Sequence, residues 1–84
     1  FLLAQFLDID DAGHRHGPFS RQTIEAIGLT DARLARLGSF LASHDYAFLV
    51  TADHGQHDSS TSPGTGTHDG SAWQDMLVPL TWQP

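Results

Sequence analysis

The chain has 84 residues, which allows one small domain at most, and a domain of that size buries only roughly 60% of its unfolded surface. It has no cysteine, so no disulfide can reinforce it and the redox compartment stays open. A formal charge of −6 argues against nucleic acid as a partner, because phosphate recognition needs a basic surface, and no apolar run is long enough to span a membrane.

Residues 1–9, FLLAQFLDI, are apolar nearly throughout. Continuous hydrophobicity over that length predicts a strand buried on both faces of a parallel sheet, with a short buried helix as the competing reading. The chain opens inside this run without Met and closes at Pro84 just after another, which predicts an internal or C-terminal piece of a longer protein. Any secretory signal would then lie outside it. Residues 10–18, DDAGHRHGP, carry two glycines and a proline and read as a polar loop.

Ser20 is a plausible helix N-cap, and Glu25 in the early turns suits the helix dipole. Ile24, Ile27, Leu34, Leu37 and Leu41 fall on one helical stripe. Gly28 interrupts it, at about 1 kcal/mol relative to Ala, and Thr30 is a second candidate cap. One kinked helix or two are both open, and the two-helix form makes Asp31 a first-turn residue. His44 and Asp45 end the segment. Residues 46–51, YAFLVT, form the next strand, rich in β-branched and aromatic residues. Strand, helix, strand predicts a right-handed βαβ unit with parallel strands, whose sites collect at the C-terminal strand ends. Residues 56–70 are Ser-, Thr-, Gly- and Pro-rich and read as a loop or linker. Residues 76–82, MLVPLTW, read as an edge strand, because Pro79 has no N–H for the ladder.

Six histidines are a surplus in so short a chain. Metal binding, pH response or chance must explain it. Asp10 and His14 stand in one Gly-containing segment beyond the first strand, and Asp53 and His54 stand together where the second strand ends. His68 lies in the following loop. A carboxylate with neutral imidazoles is a donor set suited to zinc. Two ions about 4 Å apart can clamp the attacking and leaving oxygens of a phosphoryl transfer. The neighbouring polar residues have plainer readings. Asp8 faces away, Asp11, His16 and His57 are solvated loop residues, and His44 belongs to a helix C-terminus. Trp73 and Trp82 pack under the last strand. Ser59, Ser60 and Thr61 have no base beside them.

The ordered set Asp10-x-x-Gly13-His14-x-x-Gly17-Pro18, Thr51-Ala52-Asp53-His54-Gly55, His68 and Val78-Pro79-Leu80 resembles the alkaline phosphatase superfamily. Within it the pattern is most similar to the type I phosphodiesterase / nucleotide pyrophosphatase group. The resemblance implies a doubly wound, mostly parallel α/β sheet, of which these residues would be one βαβ unit, a loop and an edge strand. It implies two divalent ions, zinc before manganese, with Asp10, His14 and His68 on one and Asp53 and His54 on the other. It also implies a Ser or Thr nucleophile upstream of Phe1, hydrolysis of a small phosphate ester or nucleotide, and an extracytoplasmic location. Two features depart from the group. The gap from His54 to His68 is short, as in phosphoethanolamine transferases and sulfatase-like enzymes, and Asp69 follows His68 where the family has Gly. A transferase or sulfatase-like enzyme and a catalytically dead metal-binding module are the alternatives.

Overall fold

The polar stretch after Leu7 is a helix, not a loop. In the computed structural model, which describes residues 1–84, α1 spans Asp8–His16. Asp8, Asp10 and Asp11 fill its first turn and His14, Arg15 and His16 its last, so both ends complement the helix dipole. Gly17 closes the helix at φ 91°, a conformation that glycine adopts without penalty, and Pro18 follows. The glycine and proline that suggest a loop are the stop signal of a helix.

Residues 1–7 form no strand. An apolar run becomes a strand only through ladder hydrogen bonds, and no segment of the chain pairs with it. The expected parallel βαβ unit is therefore not formed. The fold is a small α/β arrangement with two antiparallel strand pairs.

α2 spans Arg21–Ser43 as one helix. Ser20 caps it, its hydroxyl accepting from the Thr23 N–H at 3.1 Å. Gly28 does not break it, so Asp31 is an exposed mid-helix residue and not the start of a second helix. The predicted stripe is only partly right. Leu34, Leu37 and Leu41 are half-buried, but Ile24 and Ile27 are exposed. The buried positions are the small ones, Thr23, Ala26, Thr30 and Gly38. Small residues let helix backbones approach closely, and α1 docks on this face. There Thr23 Oγ1 donates to the Gly17 carbonyl at 2.8 Å. At the exposed edge Arg33 Nη1 donates to Asp8 Oδ2 at 2.6 Å, a surface pair worth at most about 1 kcal/mol.

β1 spans Phe48–Thr51 and β4 Leu80–Gln83, paired antiparallel with Phe48 opposite Gln83 and Thr51 opposite Leu80. β4 has one neighbour only, and Pro79 stands just before it, as its missing donor requires. The Phe48 ring lies over Gly38 and seats α2 against this pair. The stretch between β1 and β4 is folded, contrary to a linker reading. β2, His57–Asp58, pairs antiparallel with β3, Gly66–Thr67. Gly66 lies against α1 so closely that a Cβ there would collide with the Gly13 carbonyl. A 3₁₀ turn, Trp73–Asp75, precedes β4. Only 8 of 84 residues are buried and Ala26 is the one apolar side chain among them, so the chain has almost no core of its own.

Candidate metal centre

The helix and two strand ends bring three of the predicted imidazoles, those of His14, His54 and His68, to one oxygen of Asp10. Asp10 and His14 are four residues apart on α1, which places them on the same helix face. Asp53 and His54 lie just beyond β1, and His68 follows β3 directly. His14 Nε2 stands 3.4 Å from Asp10 Oδ1, His68 Nε2 3.4 Å and His54 Nε2 3.8 Å. Asp53 Oδ1 lies 3.6 Å from His54 Nε2. The His54 and His68 rings stack with centroids 3.6 Å apart.

These separations fit ligands around an ion better than they fit hydrogen bonds. An N–H···O bond closes to about 2.7–3.2 Å. Two ligands on a tetrahedral zinc, each about 2.0–2.1 Å from it, lie roughly 3.4 Å apart. In two of the three imidazoles the ring nitrogen away from Asp10 is already engaged. His14 Nδ1 meets the Gly66 carbonyl at 2.9 Å and His54 Nδ1 the Gly55 carbonyl at 2.8 Å. A carbonyl can only accept, so each Nδ1 carries a proton, and the neutral ring then offers its Nε2 lone pair to a metal. Gln56 steadies the central carboxylate, its Nε2 donating to Asp10 Oδ1 at 3.1 Å. Gln56 was not among the candidates read from the sequence. Its adjacency to the Asp53-His54-Gly55 turn is the one signal that points to it.

The ligand atoms of Asp10, His54 and His68 all lie within 4.8 Å of one another. His54, which the resemblance assigns to the second ion, therefore stands beside residues assigned to the first. His14 and Asp53 lie outside this three-residue group: His14 joins it through Asp10, and Asp53, at the exposed edge, through His54.

The family model for type I phosphodiesterase / nucleotide pyrophosphatase matches residues 1–78. The chain belongs to this family, within the alkaline phosphatase superfamily. Members of that superfamily act on small phosphate-containing substrates. Individual relatives of this phosphodiesterase-family chain bear a different name. It is 32% identical over 81 residues to a 2,3-bisphosphoglycerate-independent phosphoglycerate mutase of Onchocerca volvulus, covering 96% of this chain and 15% of that protein. The same-named protein of Caenorhabditis elegans is 32% identical, with 96% and 14% covered. That of Campylobacter jejuni is 38% identical over 55 residues, with 66% and 11% covered. The chain thus spans about a seventh of the nematode relatives' length. No solved structure matches it.

The phosphodiesterase-family chain has a second cluster beside the first. His57 Nδ1 donates to Asp75 Oδ1 at 2.7 Å, and the Gly70 N–H donates to Asp75 Oδ2 at 3.0 Å. Asp69 Oδ1 lies 3.9 Å from His57 Nε2. Burial pushes the Asp75 carboxyl up, but the bonds from His57 and Gly70 and the charge on His57 outweigh it and hold it below the usual carboxylate range. Hydrogen bonds from Ser71 lower Asp69 likewise. His57 is therefore half-buried and bonded, not a solvated loop residue. Asp75, only 4% exposed, gives no sign of its role in the sequence, since its partner is 18 residues away.

The remaining candidates take ordinary roles. Asp8 pairs with Arg33, and Asp11 and His16 are exposed. His44 stacks on Phe40 at the end of α2. Trp73 and Trp82 are 68% and 65% exposed and do not pack under the last strand. Ser59 Oγ accepts from the Thr61 and Ser62 N–H groups, a turn role.

Proposed function

We propose that residues 1–84 carry the metal-binding face of a phosphoryl-transfer enzyme that moves a phosphoryl group on a small phosphorylated metabolite, as the relatives' name describes for them. The observation that carries this reading is the convergence of three imidazole Nε2 atoms on Asp10 Oδ1 at 3.4–3.8 Å. Asp10, His14 and His68 hold one divalent ion and Asp53 and His54 contribute to a second. The donors suit zinc, with manganese as the alternative. When bound, the ions neutralise phosphoryl oxygens and align the attacking and leaving groups. The chain's own residues prepare that site. Asp10 and Asp53 supply the negative charge that attracts cations. The Gly66 and Gly55 carbonyls fix the tautomers of His14 and His54, and Gln56 orients Asp10. The nucleophile, a Ser or Thr, comes from outside these residues.

The family model's description supports a second reading, hydrolysis of phosphodiesters or nucleotide pyrophosphates. The two differ in what accepts the phosphoryl group: a hydroxyl of the substrate or water. Incubating the intact, metal-loaded protein with phosphoglycerate isomers and with aryl phosphate esters separates them. Interconversion of the isomers without release of inorganic phosphate is expected. Phosphate released from esters without isomerisation selects the hydrolase, and neither activity selects a degenerate metal-binding module. Asp10→Asn is expected to lower the observed activity by more than about 100-fold, because even the outer partner of a metal ligand is worth roughly 10–100-fold.

A further inference from the structure

We infer that Asp75 is a positioning residue that locks together the two loops bearing His54 and His68, acting partly through His57. The inference rests on the metal-centre reading above. It is carried by three bonds from one buried residue. The Asp75 main-chain carbonyl accepts from the Gly55 N–H at 2.8 Å, next to His54. Its Oδ2 accepts from the Gly70 N–H at 3.0 Å, two residues beyond His68. Its Oδ1 accepts from His57 Nδ1 at 2.7 Å. His57 lies on β2 opposite Thr67, the neighbour of His68. Each bond thus lands within three residues of a ligand, and together they span both loops.

The cluster is a clamp and not a second metal site. The contact between Asp75 Oδ1 and His57 Nδ1 has hydrogen-bond length, well short of the roughly 3.4 Å between ligands on one zinc. Both carboxylate oxygens are engaged by N–H donors. A carboxylate this deeply buried is tolerated because its partners are present, and removing either side leaves an unpaired polar group. Ligands held in this way need no reordering when an ion enters; loss of a partner bonded directly to a ligand weakens metal affinity by roughly 10–100-fold, which is the ceiling for a clamp that acts through the loops.

The test measures zinc affinity of the intact protein by competition with a chromophoric chelator, starting with the unsubstituted protein. Asp75→Ala and His57→Ala are each expected to weaken zinc binding by about 10-fold, the lower end of the range for direct partners of a ligand. His57→Asn keeps an amide N–H near the position of Nδ1 and is expected to restore affinity to within a few-fold of the unsubstituted protein. Unchanged affinity in His57→Ala and in a folded Asp75→Ala overturns the clamp while leaving the metal centre standing. Affinity in His57→Asn as weak as in His57→Ala also overturns it, since His57 Nε2 would then be what matters. If Asp75→Ala fails to fold, the two His57 variants decide between these outcomes. An unsubstituted protein that binds no zinc or manganese overturns the metal centre itself, and the clamp with it.

Discussion

Asp10 gathers charge that the chain elsewhere spreads out. One of its oxygens faces His14, His54 and His68 and also accepts from Gln56. Asp75 does the parallel task for the surrounding loops, and its depressed pKa makes that task visible in stability. A carboxyl whose folded pKa lies below its unfolded value of about 3.9 stabilises the fold above that pH and ceases to do so as pH falls through the folded value. Thermal unfolding of the metal-free intact protein should therefore show Asp75→Asn furthest below the unsubstituted protein near neutral pH. The gap should narrow once pH drops under about 4. A gap that stays constant from pH 7 to 3 contradicts the assignment. At this scale the sequence was informative where chemistry is local. Asp53 and His54 stand adjacent after an apolar strand, and Asp10 and His14 are spaced to converge, although a helix and not a loop makes them do so. Asp75 was illegible because its partners Gly55, His57 and Gly70 are brought to it only by folding.

The helices and strands show which signals are decisive. Ser20 marks the start of α2 because a capping hydroxyl works through its immediate neighbours, and Pro79 marks an edge because a missing donor does too. The first strand failed for the opposite reason. Residues 1–7 have the composition of a strand but no partner, and pairing is not encoded in the run itself. In α1 the charge order, acidic then basic, outweighed Gly13, where a Cβ would run into the Gln56 side-chain amide. The α2 stripe misled because α1 packs on the small face of the helix, which leaves Ile24 and Ile27 outside. Gly28 has no such packing role. A Cβ there meets nothing, and the residue is mid-helix and exposed. Gly28→Ala is thus expected to stabilise the protein by about 0.8–1 kcal/mol, read as a raised denaturation midpoint at unchanged slope. A lowered midpoint would show that this face of α2 is occupied in the intact protein.

Over the whole molecule, the cluster of ligands has almost no buried core beneath it. The chain extends 47 × 22 × 15 Å, and Phe1, Leu3, Phe19, Leu80 and Trp82 are among its exposed large apolar side chains. No large side chain is fully buried. Hydrophobic burial is the main favourable term in folding, so this surface needs cover before the site can be rigid. The 84 residues expressed alone are expected to bind a hydrophobic dye and to melt without a cooperative transition, and a sharp two-state transition would contradict that. Family membership was legible because the ligand motifs keep their order along the chain, whereas the relatives' mutase name was not, since a metal-ligand set serves phosphoryl transfer to water and to a hydroxyl alike. Asp10, His14, Asp53, His54 and His68 are proposed here to form one metal centre. Elemental analysis of the intact protein, purified without chelator, tests it most directly when run beside Asp10→Asn and His54→Ala. Two divalent ions per chain are expected, with the loss of at least one in each folded variant. An unsubstituted protein without stoichiometric metal, or variants that retain the full complement, would contradict it.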